Sequence, residues 1–212
     1  MNQIFDFFLE AYKNTSTSDI ILEFLAFLFG IASVWFAKKE NILVYPTGLV
    51  ATIITVYLLY KAEYFGDMMM NFYYSVMSIY GWWNWSRKKN NKIIVPISRT
   101  NLKEKIIGVA LVILTMIITY LVYRYFGNEI KTENYIDIFT SGIFFTAMWY
   151  MANKKIENWS LWIIANIITV PLYAYRGLGM LSIQYIIFTI LAIQGYKEWT
   201  KNLNKSHQTV LK

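Results

Sequence analysis

Four side chains in one apolar stretch, Trp162, Asn166, Thr169 and Tyr173, are spaced 4, 3 and 4 residues apart. On a helix that spacing gathers them on one face. An amide, a hydroxyl and two amphipathic rings on a common face suit the grip of a flat, polar heterocycle rather than bond-breaking chemistry. A second stripe, Asp67, Asn71, Tyr74 and Ser78, repeats the spacing, and Gln184 with Phe188 adds an amide and a ring one turn apart. Rings around a pocket also attract a cation through their quadrupole, by about 0.5–2 kcal/mol per good contact. Trp35 is a further ring for such a pocket, although Trp35 and Trp149 also fit a role as anchors at a membrane interface. Asn166 has a plainer alternative too, since an amide can join two membrane helices by a hydrogen bond worth roughly 1 kcal/mol.

Catalysis and metal binding have no comparable signature. The chain has no cysteine, its single histidine, His207, lies in a polar tail, and there is no HExxH, GxSxG or clustered acid pair. No catalytic residue, no metal ligand and no cofactor is expected, and the chain reads as a non-enzyme. Glu23, Asp67 and Asp137 lie near the ends of apolar stretches. Acids so placed can couple to protons, but no relay surrounds them and no coupling is expected.

The elements that must position these residues are membrane spans. Hydrophobic residues make up 57% of the 212 and charged residues 16%, against roughly 25% charged in a soluble domain. The apolar residues fall into seven blocks, at about 19–37, 41–60, 65–85, 103–126, 134–152, 158–175 and 179–199, each long enough to cross the hydrocarbon core as a helix. Trp and Tyr crowd their ends as an aromatic belt. The first 18 residues lack the basic start and small-residue site of a cleavable signal. The formal charge of +7 sits mostly in short loops beside apolar segments, which makes it a topology signal and not a nucleic-acid surface. Fifteen Lys and Arg fall on the side of Lys38, Lys154 and the C-terminus and five on the other. The positive-inside rule then puts the C-terminus in the cytoplasm and the N-terminus outside.

An internal repeat organises the spans. Glu23 and Asp137, Trp35 and Trp149, Gly81 and Gly195, and Trp85 and Trp199 are each 114 residues apart. Lys38-Lys39-Glu40-Asn41 resembles Lys154-Lys155-Ile156-Glu157-Asn158, with small gaps placed in the turns. The expected fold is an all-α integral membrane protein of seven transmembrane helices, two parallel three-helix repeats joined by one helix in a 3+1+3 arrangement. Its parts are an outer N-terminal segment at 1–18, the first repeat at 19–85, a cytoplasmic loop at 86–102 and a linker helix with an outer loop at 103–133. The second repeat at 134–199 and a cytoplasmic tail at 200–212 complete it. Parallel repeats of this kind hold a substrate between the halves near the midplane, and rocking of one half on the other gives alternating access. Pro171 predicts a kink in the sixth span.

The run Glu157-Asn158-Trp159, Trp162, Asn166, Pro171-Leu172-Tyr173, Gly177, Gln184-Tyr185, Gly195-Tyr196 and Trp199 resembles the PnuC vitamin transporters. Trp35, Asn41, Pro46-Thr47-Gly48, Gly66-Asp67 and Tyr80-Gly81-Trp82 extend the likeness to roughly residues 20 to 200. The resemblance implies a fold related to the SWEET sugar carriers and a multi-pass protein of the bacterial inner membrane, assembled as a homotrimer. It implies facilitated diffusion of a vitamin, nicotinamide riboside above all, trapped inside by phosphorylation, with thiamine or riboflavin as alternatives. It further implies that Trp162 and Asn166 line the substrate site and that Tyr173 completes the motif. The helical stripes add Gln184, Asn71, Tyr74, Thr169 and Phe188, and Trp35 is the further ring. A non-transporting receptor or assembly subunit is the alternative of another class, and it would need no convergence of polar stripes from the two halves.

Overall fold

The computed structural model describes residues 16–61, 65–89, 92–93, 95–126, 130–175 and 179–210. Expectations that fall on residues 1–15, Arg176, Gly177 and Lys212, or on the side chains of Gly66 and His207, lie outside the described residues. Seven helices cover most of the rest: α1 (Thr17–Lys38), α2 (Val44–Lys61), α3 (Phe65–Ser86), α4 (Leu102–Phe126), α5 (Thr132–Ala152), α6 (Glu157–Tyr175) and α7 (Gly179–Val210). Local signals fix several starts. The Ser16 hydroxyl accepts from the Asp19 backbone N–H at the head of α1. Asn101 and Glu104 exchange side chain-to-backbone bonds at the head of α4, a capping box that satisfies two otherwise orphaned donors. By length and composition α1, α2 and the Leu102–Tyr125 part of α4 are apolar enough to cross a membrane on their own. The other helices dilute their apolar residues with amides, hydroxyls and acids, which a membrane helix keeps for its protein-facing side.

The repeat holds in space without any gap. At an offset of 114, α1 falls on α5, α2 on α6 and the start of α3 on the start of α7, each to within a residue. The turns after α1 and α5 match bond for bond. Glu40 N–H donates to the Ala37 carbonyl and Lys154 N–H to the Met151 carbonyl, both at 3.0 Å; Asn41 N–H donates to Phe36 and Lys155 N–H to Tyr150, both at 2.9 Å. Glu40 and Lys154 both carry a positive φ, 54° and 51°. The gapped match of the two Lys-Lys pairs is therefore corrected: the backbone aligns Glu40 with Lys154, and the lysine pairs only look alike.

Within each repeat the second helix is locked to the third by a ring against a glycine. Tyr45 lies edge-on to Trp85, and its counterpart Trp159 lies edge-on to Trp199. Both lie against Gly81 and Gly195, where an added Cβ would run into the Tyr45 ring and come within 2.7 Å of the Trp159 ring. The linker α4 packs mainly on α5, with Tyr150 donating to the Glu104 carbonyl and Thr146 to that of Gly108. Between the halves α1 meets α7 and α3 meets α5.

Two segments differ from expectation. The polar stretch at 86–102 is more than a loop: Lys88–Lys89 and Lys92–Ile93 form a short antiparallel hairpin (β1, β2), and Ser98 bridges Lys155 in parallel, its N–H on the Lys154 carbonyl and its carbonyl taking Ile156 N–H. Helix α7 also runs on past Trp199 to Val210, because a helix leaving the bilayer keeps its backbone bonds and can continue with a polar surface.

Overpacking a filled core typically costs about 1–3 kcal/mol. Gly195→Ala should therefore lower the melting temperature of detergent-purified protein, and Trp159→Phe in the same chain should recover part of the loss; a Gly195→Ala protein as stable as the parent would refute the lock.

Candidate functional site

A cavity of about 1670 Å³ lies between the two halves. Helix α6 gives it the predicted stripe, with Trp162, Asn166, Thr169 and Tyr173 all on its wall. From α3 come Asn71, Tyr74 and Ser78, and from α7 Gln184 and Phe188. Ring contacts join these elements: Tyr74 and Trp162 lie 6.2 Å apart between centroids, Tyr173 and Tyr185 5.2 Å, and Tyr185 and Phe188 5.8 Å. Eight of the nine residues predicted for a site thus share one space. Trp35 does not. It is 45% exposed with its ring edge-on to Phe36, on the outward face of α1, because its turn of the helix points away from the axis between the halves.

Sequence reading missed Phe144, Tyr185, Tyr45 and Trp159. Phe144 on α5 stacks at a tilt on Trp162, 5.4 Å between centroids, and on Tyr185, 5.9 Å. The repeat held the signal for Tyr45 and Trp159, since they are 114 residues apart; Phe144 and Tyr185 sit in apolar runs where nothing marks the inward face.

Four buried polar atoms on this wall have no hydrogen-bond partner among the described residues: Tyr45 Oη, Trp159 Nε1, Trp162 Nε1 and Asn166 Oδ1. Asn166 is only 1% exposed. An unsatisfied buried polar group typically costs about 1–3 kcal/mol, so a cavity that holds several is built for a polar guest. Other members are already committed. The Thr169 hydroxyl donates to the Ala165 carbonyl and Asn71 Nδ2 to the Asp67 carbonyl, which leaves Trp162 as donor and Asn166 as acceptor at the centre of the stripe.

The cavity opens at the end that carries Ser16, Lys61, Lys131 and Tyr175. Its lining there includes the carboxylates of Asp19, Glu23, Asp67, Glu133 and Asp137 against the two cations Lys61 and Lys131. Lys61 is already bound to Asp19 at 2.6 Å, and Asp137 accepts from the Tyr123 hydroxyl. Among the described residues carboxylates outnumber amines at this mouth.

The opposite end is shut by contacts exchanged between the halves. Trp85 Nε1 donates to the Ala152 carbonyl and Trp199 Nε1 to the Ala37 carbonyl, at 3.2 and 3.0 Å. Beside them Asn84 donates to Ala152 and lies within 3.5 Å of Asn153 Oδ1, while the matching positions Glu198 and Lys39 form an ion pair. Between the two sets Lys154 Nζ meets Glu40 Oε1 at 2.7 Å, with the ammonium 4.5 Å above the Trp85 ring and its side chain 4% exposed. Equivalent positions that touch must lie on the axis relating them, so this pair marks the pseudo-two-fold.

Two like-oriented helical triplets around a ring-lined, polar cavity, open at one end and bolted at the other, make this a membrane transporter. The chain belongs to the nicotinamide mononucleotide transporter family, whose sequence pattern matches residues 20–201. It is similar to the nicotinamide riboside transporter PnuC of Escherichia coli, with 23% identity over 201 residues that cover 84% of each chain. It is also similar to the protein of the same name from Neisseria mucosa, 27% identical over 203 residues, covering 89% of this chain and 75% of that one. The fold is shared with the crystal structure of the vitamin B3 transporter PnuC, at a TM-score of 0.71 and 23% identity across 95% of this chain and 90% of that one.

Removing one partner of a buried ion pair costs roughly 3 kcal/mol or more. Lys154→Met should therefore lower the melting temperature markedly, and the exchanged double variant Glu40→Lys/Lys154→Glu should regain most of it, because the two positions are equivalent about the axis. A swap no better than Lys154→Met would mean that the Trp85 contact, and not the pair, holds that end.

Proposed function

We propose that the chain carries nicotinamide riboside across the bacterial inner membrane by facilitated diffusion, with phosphorylation inside the cell trapping the product. The observation that carries this reading is the pairing on α6 of an unpartnered donor and acceptor, Trp162 Nε1 and Asn166 Oδ1, inside an aromatic cavity with an acidic mouth. A pyridinium ring is flat and cationic, so it suits ring stacking and the acidic mouth together. Its carboxamide offers an N–H donor to Asn166 and a carbonyl acceptor to Trp162. The names of the relatives from Escherichia coli and Neisseria mucosa point to the same substrate.

In this reading Trp162, Asn166, Tyr173, Gln184, Asn71, Tyr74, Thr169 and Phe188 form the substrate site. The repeats at 19–85 and 134–199 rock against each other. The bolted end, rich in Lys and Arg, faces the cytoplasm, and the acidic mouth with the N-terminus faces outward. The Trp85, Trp199 and Glu40–Lys154 contacts then form the inner gate, which must break for release. A homotrimer fits the exposed apolar face of α4, where Ile106, Val109, Ile113, Ile117 and Leu121 point outward. No proton enters the cycle.

A ligand that binds only the native state raises its stability by about 2.7 kcal/mol at a hundred times its Kd. Nicotinamide riboside should therefore raise the melting temperature of purified protein more than thiamine or riboflavin does, and Trp162→Ala or Asn166→Ala should weaken its binding at least about tenfold. A larger shift with thiamine would reassign the substrate within the class; no shift with any of the three would refute the carrier reading. In liposomes, uptake should follow the vitamin gradient alone and survive Glu23→Gln/Asp137→Gln. Uptake that tracks an imposed pH gradient would overturn passive transport.

A further inference from the structure

The offset of 114 carries Gly30 onto Phe144 and Gly48 onto Trp162. In the second half those two rings touch, and Tyr74 from α3 packs on Trp162. In the first half both positions have no side chain, yet both line the cavity. Over Gly30 lie Gln184 and Phe188, the counterparts of Met70 and Tyr74. The cavity is thus one-sided. Where one side of the axis carries an indole and a phenyl ring, the other has bare backbone, with the ends of Gln184 and Phe188 over Gly30 and the Ser33 hydroxyl over Gly48.

Helix packing does not explain Gly30 as it explains the other glycines with close neighbours, Gly48 among them. At Gly142 an added Cβ would come within 2.8 Å of the Val112 backbone oxygen, and at Gly195 within 2.7 Å of the Trp159 ring; those glycines let elements approach. At Gly30 the Cβ would stand 3.3 Å from Gln184 Nε2 and 3.5 Å from Phe188 Cζ, so what it would move are the ends of two side chains of the candidate site. At Gly48 it would stand 2.8 Å from the Ser33 hydroxyl, which donates to the Val44 carbonyl, and 3.7 Å from that of Ser78. Glycine is a poor helix former, so Gly30, inside α1 at a cavity-facing position and met only by side-chain ends, asks for a reason in the cavity.

We propose that Gly30 and Gly48 are specificity-determining residues: their missing side chains form the slot in which a flat aromatic cation lies against Trp162, with Gln184 and Phe188 settled on Gly30 as the facing wall. This deepens the vitamin-carrier reading and rests on it. A single added methyl in a fitted pocket changes affinity by about tenfold or more.

The test is titration calorimetry of nicotinamide riboside on the purified full chain. Gly30→Ala and Gly48→Ala should each bind at least about tenfold more weakly, with the ligand-free melting temperature of Gly30→Ala equal to or above that of the parent and that of Gly48→Ala lowered by the Ser33 contact. On a Gln184→Ala background the Gly30→Ala loss should shrink to less than about threefold, because the methyl then displaces no amide. Ser33→Ala/Gly48→Ala, freed of the hydroxyl contact, should still bind more weakly than Ser33→Ala. Parent-like affinity in both glycine variants would overturn the proposal and leave the carrier reading intact. So would a Gly30→Ala chain that fails to fold, since packing would then be the glycine's role. A parent chain that binds none of nicotinamide riboside, thiamine and riboflavin would sink both.

Discussion

The structure depends on a reciprocal clasp between the two ends of α1 and α5. Each of these helices stops at a tight turn, and its last carbonyls cannot be satisfied within the helix. The partner half adds a donor at each end: Trp199 reaches Ala37, and Trp85 reaches Ala152. Each half thus reaches into the other's turn, and the two triplets are held together about a common axis. The Glu40–Lys154 pair on that axis adds a charge contact that one sequence repeated identically could not make, since two like charges would meet there.

Closing one end in this way opens the other. With the helices pinned at the turns, the triplets diverge toward Ser16, Lys61 and Lys131, and the gap between them becomes the cavity. Its wall is graded. Carboxylates stand at the mouth, rings and unpartnered amide and indole atoms in the middle, and Tyr45 and Trp159 at the floor beside the clasp. A molecule entering from the mouth meets aromatic faces before it meets the bolt. The same tryptophans that shut the floor also pack on the rings Tyr45 and Trp159, so any rearrangement that frees their N–H bonds reshapes the floor of the cavity.

Divergence of the repeats matters as much as their likeness. One interface at the clasp uses Asn84 and Asn153, and the matching interface uses Glu198 and Lys39. In the cavity, Phe144 and Trp162 stand where the first half has glycines, Gly30 and Gly48. The linker side is reinforced as well: Ser98 bridges the α5–α6 turn, and Lys155 pairs with Glu104 at the head of α4, whereas the α1–α2 turn has no such strap among the described residues. The second half is therefore strapped to α4, and the first half lacks such a strap among the described residues.

The fold was legible in the sequence because the membrane imposes it. Runs of about 20 apolar residues must be helices in lipid, and repeated Trp and Gly positions gave the offset that relates the halves. The stripes on α3, α6 and α7 were legible too, since period and polarity together mark an inward face in a membrane. Trp35 was misplaced for the same reason that tryptophan suits both a pocket and an interface: its type does not say which way its turn points. Phe144 carried no mark at all, Tyr185 was marked only by the family resemblance, and the gapped turn alignment followed residue likeness where backbone bonding decides. By itself the sequence determined the number of helices among the described residues, the repeat and the chemistry of the inward stripes. Only the tertiary structure decided which end closes, which polar atoms lack partners and where two absent side chains leave room, because each of these depends on residues of opposite halves meeting across an axis that no local pattern encodes.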